Sequence, residues 1–298
     1  MTYATVDVGS NTVRMLIGSC GARPYHYERR ITRLGGGFSP EIGLSAAAMA
    51  RTMTALKEFS IILEQNQTQC LRAVGTAALR RATNRQQFTE QVFQQTGISI
   101  EVIDGVEEAQ LTAIGVLSVI RPHPEAAVIF DIGGGSTELI LIIDGRVCAQ
   151  KSYPLGVVRL AEEYPSQHQR QQAINATLAD FRSVFQQQLS SPQPIELIGT
   201  AGTMTTLAAM DLGMIHYAPA AINNHRLSLA WMHSLYDQLE PLSVTERERL
   251  AGMEQGRGDL ILPGLQLATA IAECLGVSHL KVADAGLLEG VFLAAGHD

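Results

Sequence analysis

Asp7-Val8-Gly9-Ser10-Asn11-Thr12 and Asp131-Ile132-Gly133-Gly134-Gly135-Ser136-Thr137-Glu138 are two versions of one turn, placed half a chain apart. Each follows a short apolar run, Ala4 to Val6 or Ala127 to Phe130, and leads into another, Val13 to Ile17 or Leu139 to Ile143. An acid ending a strand, then glycine with small hydroxyl residues, then a second strand, describes a tight hairpin with exposed backbone N–H groups. Such turns form concave nests for phosphate oxygens, and the acid can hold a cation. Two of them predict two related half-molecules closing on one phosphate-rich ligand.

The sequence around the first turn reads as three strands, 3–8, 12–20 and 25–33, followed by a helix from an N-cap at Ser45 to Glu64, with Met49, Met53, Leu56 and Phe59 at helical spacing. A strand at 71–74, a helix through 83–96, a strand at 98–103 and a helix over 106–119 complete the half. Arg121-Pro122-His123-Pro124 is the expected linker. The order then repeats, with strands at 126–131, 137–143 and 146–153, helices, and a strand at 195–198. Domains over 1–122 and 123–298 follow, as an α/β duplication. The Gln-rich segment 167–188 keeps Ile174, Leu178, Phe181 and Phe185 at helical spacing, so it reads as a surface helix. An apolar helix over 283–295 is expected to pack back across the domain junction.

Of the 298 residues, 46% are hydrophobic and 17% charged, the balance of a soluble globular protein. No apolar run reaches the ~18 residues of a membrane span, and Met1 leads straight into a strand, so the expectation is a cytoplasmic protein without a membrane partner. Cys20, Cys70, Cys148 and Cys274 lack C-x-x-C spacing and lie in apolar stretches, which predicts buried reduced thiols. The His residues lack the spacing of a zinc site. A net charge of −7 argues against sequence-independent binding to duplex nucleic acid, but leaves room for a small or linear polyphosphate.

A third turn, Gly199-Thr200-Ala201-Gly202-Thr203, lies between a strand and a helix, where free N–H groups suit an anion. The three turns in this order resemble the two phosphate loops and the adenosine loop of the actin, sugar kinase and Hsp70 superfamily. In detail the chain resembles the exopolyphosphatase and guanosine pentaphosphate phosphohydrolase (Ppx/GppA) family. Supporting segments are Gly75-Thr76-Ala77-Ala78-Leu79-Arg80-Arg81-Ala82, Gly105-Val106-Glu107-Glu108-Ala109, Leu155-Gly156-Val157-Val158-Arg159-Leu160 and Ala285-Gly286-Leu287-Leu288-Glu289-Gly290-Val291. The resemblance runs from residue 3 to about 292. It implies two actin-like, ribonuclease H-like domains with an interdomain cleft. Longer members carry a C-terminal helical domain with a His-Asp signature; this chain stops at Asp298 and resembles the two-domain form. Arg257-Gly258-Asp259 departs from the family, which usually has Ala between the Arg and the Asp.

The resemblance assigns Glu108 as general base, while Glu107 serves as an ordinary acid at a helix N-terminus. Asp7, Asp131 and Glu138 are hard oxygen ligands suited to Mg²⁺, with Mn²⁺ as a second possibility; Asp7 could act through water. Gly9, Ser10, Asn11 and Thr12, together with Gly133, Gly134, Gly135, Ser136 and Thr137, would donate to phosphoryl oxygens, as would Gly202 and Thr203 in the third turn. Arg80 is placed as a catalytic phosphate clamp at the cleft rim. Arg14 faces either the cleft or solvent, and Arg257 is a weaker candidate.

The implied reaction is Mg²⁺-assisted hydrolysis of a terminal phosphoanhydride. It would release orthophosphate from polyphosphate or the 5′-γ phosphate from guanosine pentaphosphate, a stringent-response nucleotide. Two alternatives stand beside it: an ATP-dependent small-molecule kinase, and a non-catalytic sensor of guanosine tetraphosphate or polyphosphate. A homodimer is possible.

Overall fold

A computed structural model of the chain describes residues 1–19, 24–186 and 195–295. It divides into two units, Met1–Gly115 with Gly286–Asp298, and Val116–Ala285.

The first unit opens with β1 (Thr2–Val8), β2 (Thr12–Ser19) and β3 (His26–Ile31), then α1 (Ala46–Gln65), β4 (Cys70–Gly75), α2 (Ala77–Arg81), α3 (Arg85–Thr96), β5 (Ile100–Val102) and α4 (Gly105–Val119). Its five strands lie in the order β3-β2-β1-β4-β5, antiparallel across the first three and parallel from β1 to β5. Strand periodicity sorts the two faces. Ala4, Val6, Val8, Val13, Met15 and Ile17 point into a core with Leu56 and Phe59 of α1. Each of these fully buried side chains larger than alanine contributes roughly 1.5–3 kcal/mol. Ser45 caps α1 by accepting from the N–H of Ala48.

The second unit holds β6 (Ala126–Ile132), β7 (Thr137–Ile143), β8 (Arg146–Tyr153), α5 (Val157–Glu163), α6 (Gln167–Gln186), β9 (Glu196–Thr200), α7 (Ala201–Asp211), α8 (Pro219–Ile222), β10 (Arg226–Ser228), α9 (Leu229–Leu239), α10 (Val244–Arg247), α11 (Ile261–Leu275) and β11 (His279–Val282). The final helix, α12 (Leu287–Ala294), belongs to the first unit. The second sheet runs β10-β11-β9-β6-β7-β8. Apart from the added edge strand β10, this is the order of the first sheet, with β6, β7, β8, β9 and β11 standing for β1 to β5. The duplication is therefore topological.

Several sequence expectations need correction. The limits between units fall at Gly115 and Gly286, not at Arg121–Pro124. The chain from Val119 to Arg121 is tied into the second unit by Asn224, whose Nδ2 donates to the Val119 carbonyl at 2.9 Å and whose Oδ1 accepts from the Arg121 N–H at 2.7 Å. The last helix starts at Leu287 because Ala283 still donates its N–H to Gly199 at 3.0 Å, next to the sheet. Residues 77–81, expected as a connection, form the short helix α2. Cys70 and Cys148 are exposed and Cys274 is half-buried, since the first two stand at a strand start and on the edge strand β8; Cys20 lies outside the described residues. In α6, Ile174, Leu178, Phe181 and Phe185 are all buried, while residues 187–188 lie outside the described residues. Among the described residues, no helix is long and apolar enough to cross a membrane.

Candidate active site

Both glycine turns close in the same way. The N–H of Gly9 donates to the Thr12 carbonyl at 3.0 Å, and the N–H of Gly133 to the Ser136 carbonyl at 3.0 Å. What packs behind each turn determines how its amides point. In the second unit, the first amides of α5 grip the turn: Val157 donates to Gly133 O (3.0 Å) and Val158 to Gly134 O (2.9 Å). Gly156 must be glycine here, because a Cβ would lie 2.5 Å from the Gly134 backbone. In a trans peptide the N–H points opposite the preceding C=O. With the carbonyls of Gly133 and Gly134 turned to α5, the amides of Gly134 and Gly135 point away from it, as an anion nest requires. The Thr137 hydroxyl is spent on the Leu155 carbonyl at 2.7 Å, so it holds the turn's shape.

The first turn is backed by the segment after β3. Thr32 and Arg33 both donate N–H groups to Asn11 O (3.0 and 2.9 Å), and Gly35 donates to Ser10 O (2.7 Å). The amides of Asn11 and Thr12 therefore point away from that segment. Arg33 adopts a left-handed φ of 49°, costly for a non-glycine residue and held by these bonds. Ser10 and Asn11 are buried. The Asn11 Oδ1 and the Asp7 Oδ1 are buried without a hydrogen-bond partner among the described residues. Both are acceptors, so they suit a hydrogen donor or a cation rather than a phosphate oxygen.

Register fixes what stands beside each strand-ending acid. In the first sheet one cross-strand row reads Val74, Asp7, Arg14, Arg29. The equivalent row in the second sheet reads Thr200, Asp131, Glu138, Ser152. Asp7 is thus opposite a cation: Arg14 donates to its Oδ2 through Nε at 3.0 Å and Nη2 at 2.6 Å. Burial works against the Arg14 charge, but Asp7, Glu289 and Tyr27 outweigh it and raise its pKa. Glu289 accepts from the Gly286 N–H at 2.7 Å; burial pushes its carboxyl above the ordinary range, against the pull of Arg14. Asp131 is instead opposite another carboxylate, that of buried Glu138. Like charges directly across a ladder repel, so this pair favours a cation beside it.

Glu108 and Arg80, assigned separately from sequence, meet. Arg80 Nη1 donates to the Glu108 carboxylate and also to the Ile103 carbonyl at 3.2 Å, while Glu108 itself is buried. The start of α4 is set by Asp104, whose Oδ1 accepts from the N–H groups of Val106 (2.8 Å) and Glu107 (2.9 Å). Glu107 turns aside to pair with Arg72 at 2.5 Å, in keeping with an ordinary structural acid. Asp104, Glu289 and Ser152 were not singled out from sequence; the Gly-x-x-Glu spacing shared by Gly105 to Glu108 and Gly286 to Glu289 was the available signal for Glu289.

The third turn is arranged differently. Ala201 takes a left-handed φ of 67°, and the guanidinium of Arg257 occupies the space a Cβ on Gly202 would need. Arg257 is itself buried and bonded to Glu254 at 2.6 Å. Thr203 is buried against Gly264 of α11. Gly202 and Thr203 are therefore packed by neighbouring groups within their unit, so an anion reaching this turn would meet Arg257 first.

No group of three or more His, Cys, Asp or Glu side chains able to hold a metal occurs among the described residues. Asp131 with Glu138 still fits Mg²⁺, which takes one or two protein carboxylates and completes its shell with water and phosphate.

The Ppx/GppA phosphatase family model matches residues 19–297. The chain belongs to this family. It is 33% identical to Exopolyphosphatase 2 of Mycobacterium tuberculosis, over 98% of this chain and 97% of that protein. It is 30% identical to the guanosine-5′-triphosphate,3′-diphosphate pyrophosphatase of Aeromonas hydrophila, over 99% of this chain but 60% of that longer protein. Among solved structures, an exopolyphosphatase from Cytophaga hutchinsonii superposes with a TM-score of 0.88 at 25% identity, covering 100% of this chain and 98% of its own. A Ppx/GppA member from Aquifex aeolicus gives 0.80 at 27%, covering 99% and 97%.

Proposed function

We propose that this chain hydrolyses a terminal phosphoanhydride, releasing orthophosphate from inorganic polyphosphate or the 5′-γ phosphate from guanosine pentaphosphate. The observation that carries the mechanism is Glu108, buried and held by Arg80 at the capped start of α4. Glu108 accepts a proton from the attacking water. Arg80, anchored on Ile103 O, fixes the carboxylate's orientation. The outward amides of Asn11 and Thr12 in the first unit, and those of Gly134 and Gly135 in the second, are each suited to phosphoryl oxygens. Asp131 and Glu138 would hold Mg²⁺ or Mn²⁺, which when bound supplies charge neutralisation at the transferred phosphoryl group. Water's oxygen bonds to phosphorus, the bridging P–O bond breaks, and the remaining phosphate chain leaves.

Relatives of both names align over almost all of this chain, and a triphosphate-like terminus is common to both substrates, so the proposal retains both. The kinase alternative is weakened by the Arg257 guanidinium seated on Gly202, in the turn that resembles an adenosine loop.

Phosphate release from polyphosphate of several lengths, guanosine pentaphosphate and ATP, each with Mg²⁺ and with Mn²⁺, tests the proposal. Release from either of the first two is expected. ATP turnover that depends on an added acceptor would establish a kinase instead. Tight binding of polyphosphate or guanosine tetraphosphate with no release would establish a sensor.

A further inference from the structure

On β8, the edge strand of the second sheet, Ser152 stands directly across from Glu138 and donates its hydroxyl to Glu138 Oε1 at 2.7 Å. Ser152 is exposed while Glu138 is buried. An exposed serine on an edge strand has water for a partner, yet this one is turned onto a carboxylate. A register irregularity between Leu141 and Ile142 brings it there. Counted straight from the Ile143–Arg146 pair, Glu138 would face Lys151. With the bulge it faces Ser152, and Lys151 pairs with Asp180 at 2.5 Å instead. Bulges recur where a strand must re-aim a side chain. At the equivalent places in the first unit stand Arg14 and Arg29, so the hydroxyl accompanies the carboxylate only in the unit with two acids in its row.

We infer that Ser152 is a positioning residue, fixing the Glu138 carboxylate for a divalent cation shared with Asp131. This rests on the metal role proposed above for Asp131 and Glu138. A hydrogen bond to one carboxylate oxygen fixes the rotation of the group and so the direction in which it offers its charge. Removing such a partner of a metal ligand typically weakens the metal about 10–100-fold. A merely structural serine on an exposed edge would change stability slightly and leave cation affinity alone.

The test is Mn²⁺ binding to full-length protein without substrate, followed by the loss of the free-ion electron paramagnetic resonance signal, for wild type, Ser152→Ala, Ser152→Thr and Glu138→Gln, with thermal melting of each. Ser152→Ala is expected to weaken Mn²⁺ about 10–100-fold while Ser152→Thr, which keeps the hydroxyl, stays near wild type. Half-maximal activation by Mg²⁺ should move by the same factor, with KM for polyphosphate at saturating metal unchanged. Wild-type affinity in Ser152→Ala, alongside a loss in Glu138→Gln, would overturn the role of Ser152 alone. Undiminished binding in Glu138→Gln, or none in wild type, would overturn the metal reading and this inference with it.

Discussion

Replacing Glu108 by Gln removes the proposed base while nearly preserving the shape of the site. Glu108 is 7% exposed, and its carboxylate shares Arg80 Nη1 with the Ile103 carbonyl. The Gln side chain has the same length and retains one oxygen for Arg80, so stability should change by under about 1 kcal/mol. The amide nitrogen cannot take a proton from water. A positioned base is worth about 10²–10⁴-fold in rate, or ~2.7–5.4 kcal/mol of barrier at 1.36 kcal/mol per tenfold. The expected result is therefore a fall in kcat of that size with KM within about threefold, since a base that acts on water binds little of the substrate's ground state. Phosphate release from polyphosphate under steady-state conditions, with unfolding midpoints measured in parallel, gives both quantities. Arg80→Ala should also lower kcat and should cost stability, because it strips a mostly buried carboxylate of a cation. The pair is more buried than a surface bridge and less so than a core one, which brackets the loss at about 1–3 kcal/mol. If Arg80 works through Glu108, the double variant is no slower than Glu108→Gln alone. A Glu108→Gln rate within threefold of wild type would refute the assignment of the base.

Other consequences are narrower. A Cβ on Gly115 would run into the Gly286 carbonyl, and one on Gly290 into the Leu111 carbonyl; both obstacles are backbone. Gly115→Ala should therefore cost about 1–3 kcal/mol in urea unfolding, against roughly 1 kcal/mol for Gly97→Ala, where a left-handed φ of 72° is the only obstacle; equal losses would contradict the close approach. Because the Glu289 pKa is raised on folding, the folded chain keeps a proton that the unfolded chain releases from about pH 4.5 upward. Stability contributed by this group is full below that value and is lost as pH rises towards the folded pKa. Glu289→Gln should flatten that decline in Tm, and parallel Tm–pH slopes would refute it. Gly202→Ala should displace Arg257 from Glu254 and impair phosphate release, whereas an unaltered rate would show that the Arg257–Gly202 packing is dispensable.

The hairpin turns were legible because their signal is local. Glycine with an acid before it and strands on either side leaves few alternatives, and the tight Gly9-to-Thr12 closure was enough to set Asp7 opposite Arg14 by counting. That count was available from sequence and settles the orientation left open there: Arg14 shares the face of Asp7. Ser152 was not legible in this way. The bulge, an extra residue at Cys148 of β8 opposite Leu141 and Ile142, decides whether Glu138 meets a hydroxyl or an ammonium, and nothing in Val147-Cys148-Ala149 announces it. The occupant of the third turn was hidden for another reason. Arg257, in the segment that leads into α11, reaches Gly202 across more than fifty positions, a contact that no local pattern announces. The unit limits were misplaced because prolines mark a break in secondary structure, whereas Asn224 determines which unit holds the chain there.

The two cross-strand rows differ in chemistry although they stand at matching places in the two sheets. Apart from β10, the matching sheet orders present an acid at the same place, Asp7 or Asp131, but the neighbouring strand answers with Arg14 in one copy and Glu138 in the other. In the first, the two-pronged bond from Arg14 compensates the acid internally, leaving its Oδ1 without a hydrogen-bond partner among the described residues. In the second, two carboxylates face each other across the ladder, and in the metal role proposed above an ion beside them would relieve their mutual repulsion. Amides and arginine can hold phosphate without metal, but hydrolysis concentrates charge at one phosphoryl group, where an ion is the most effective compensation. A symmetric duplicate with two Asp–Arg rows would, under the proposed reaction, lack the paired carboxylates for the metal. One with two acidic rows would repel its substrate whenever the cation was absent. Divergence at Arg14 and Glu138, on otherwise matching strands, turns an acid paired with a cation into an acid paired with another acid, the arrangement proposed above to hold the ion. Exchange at either position should therefore abolish phosphate release even where the variant still folds.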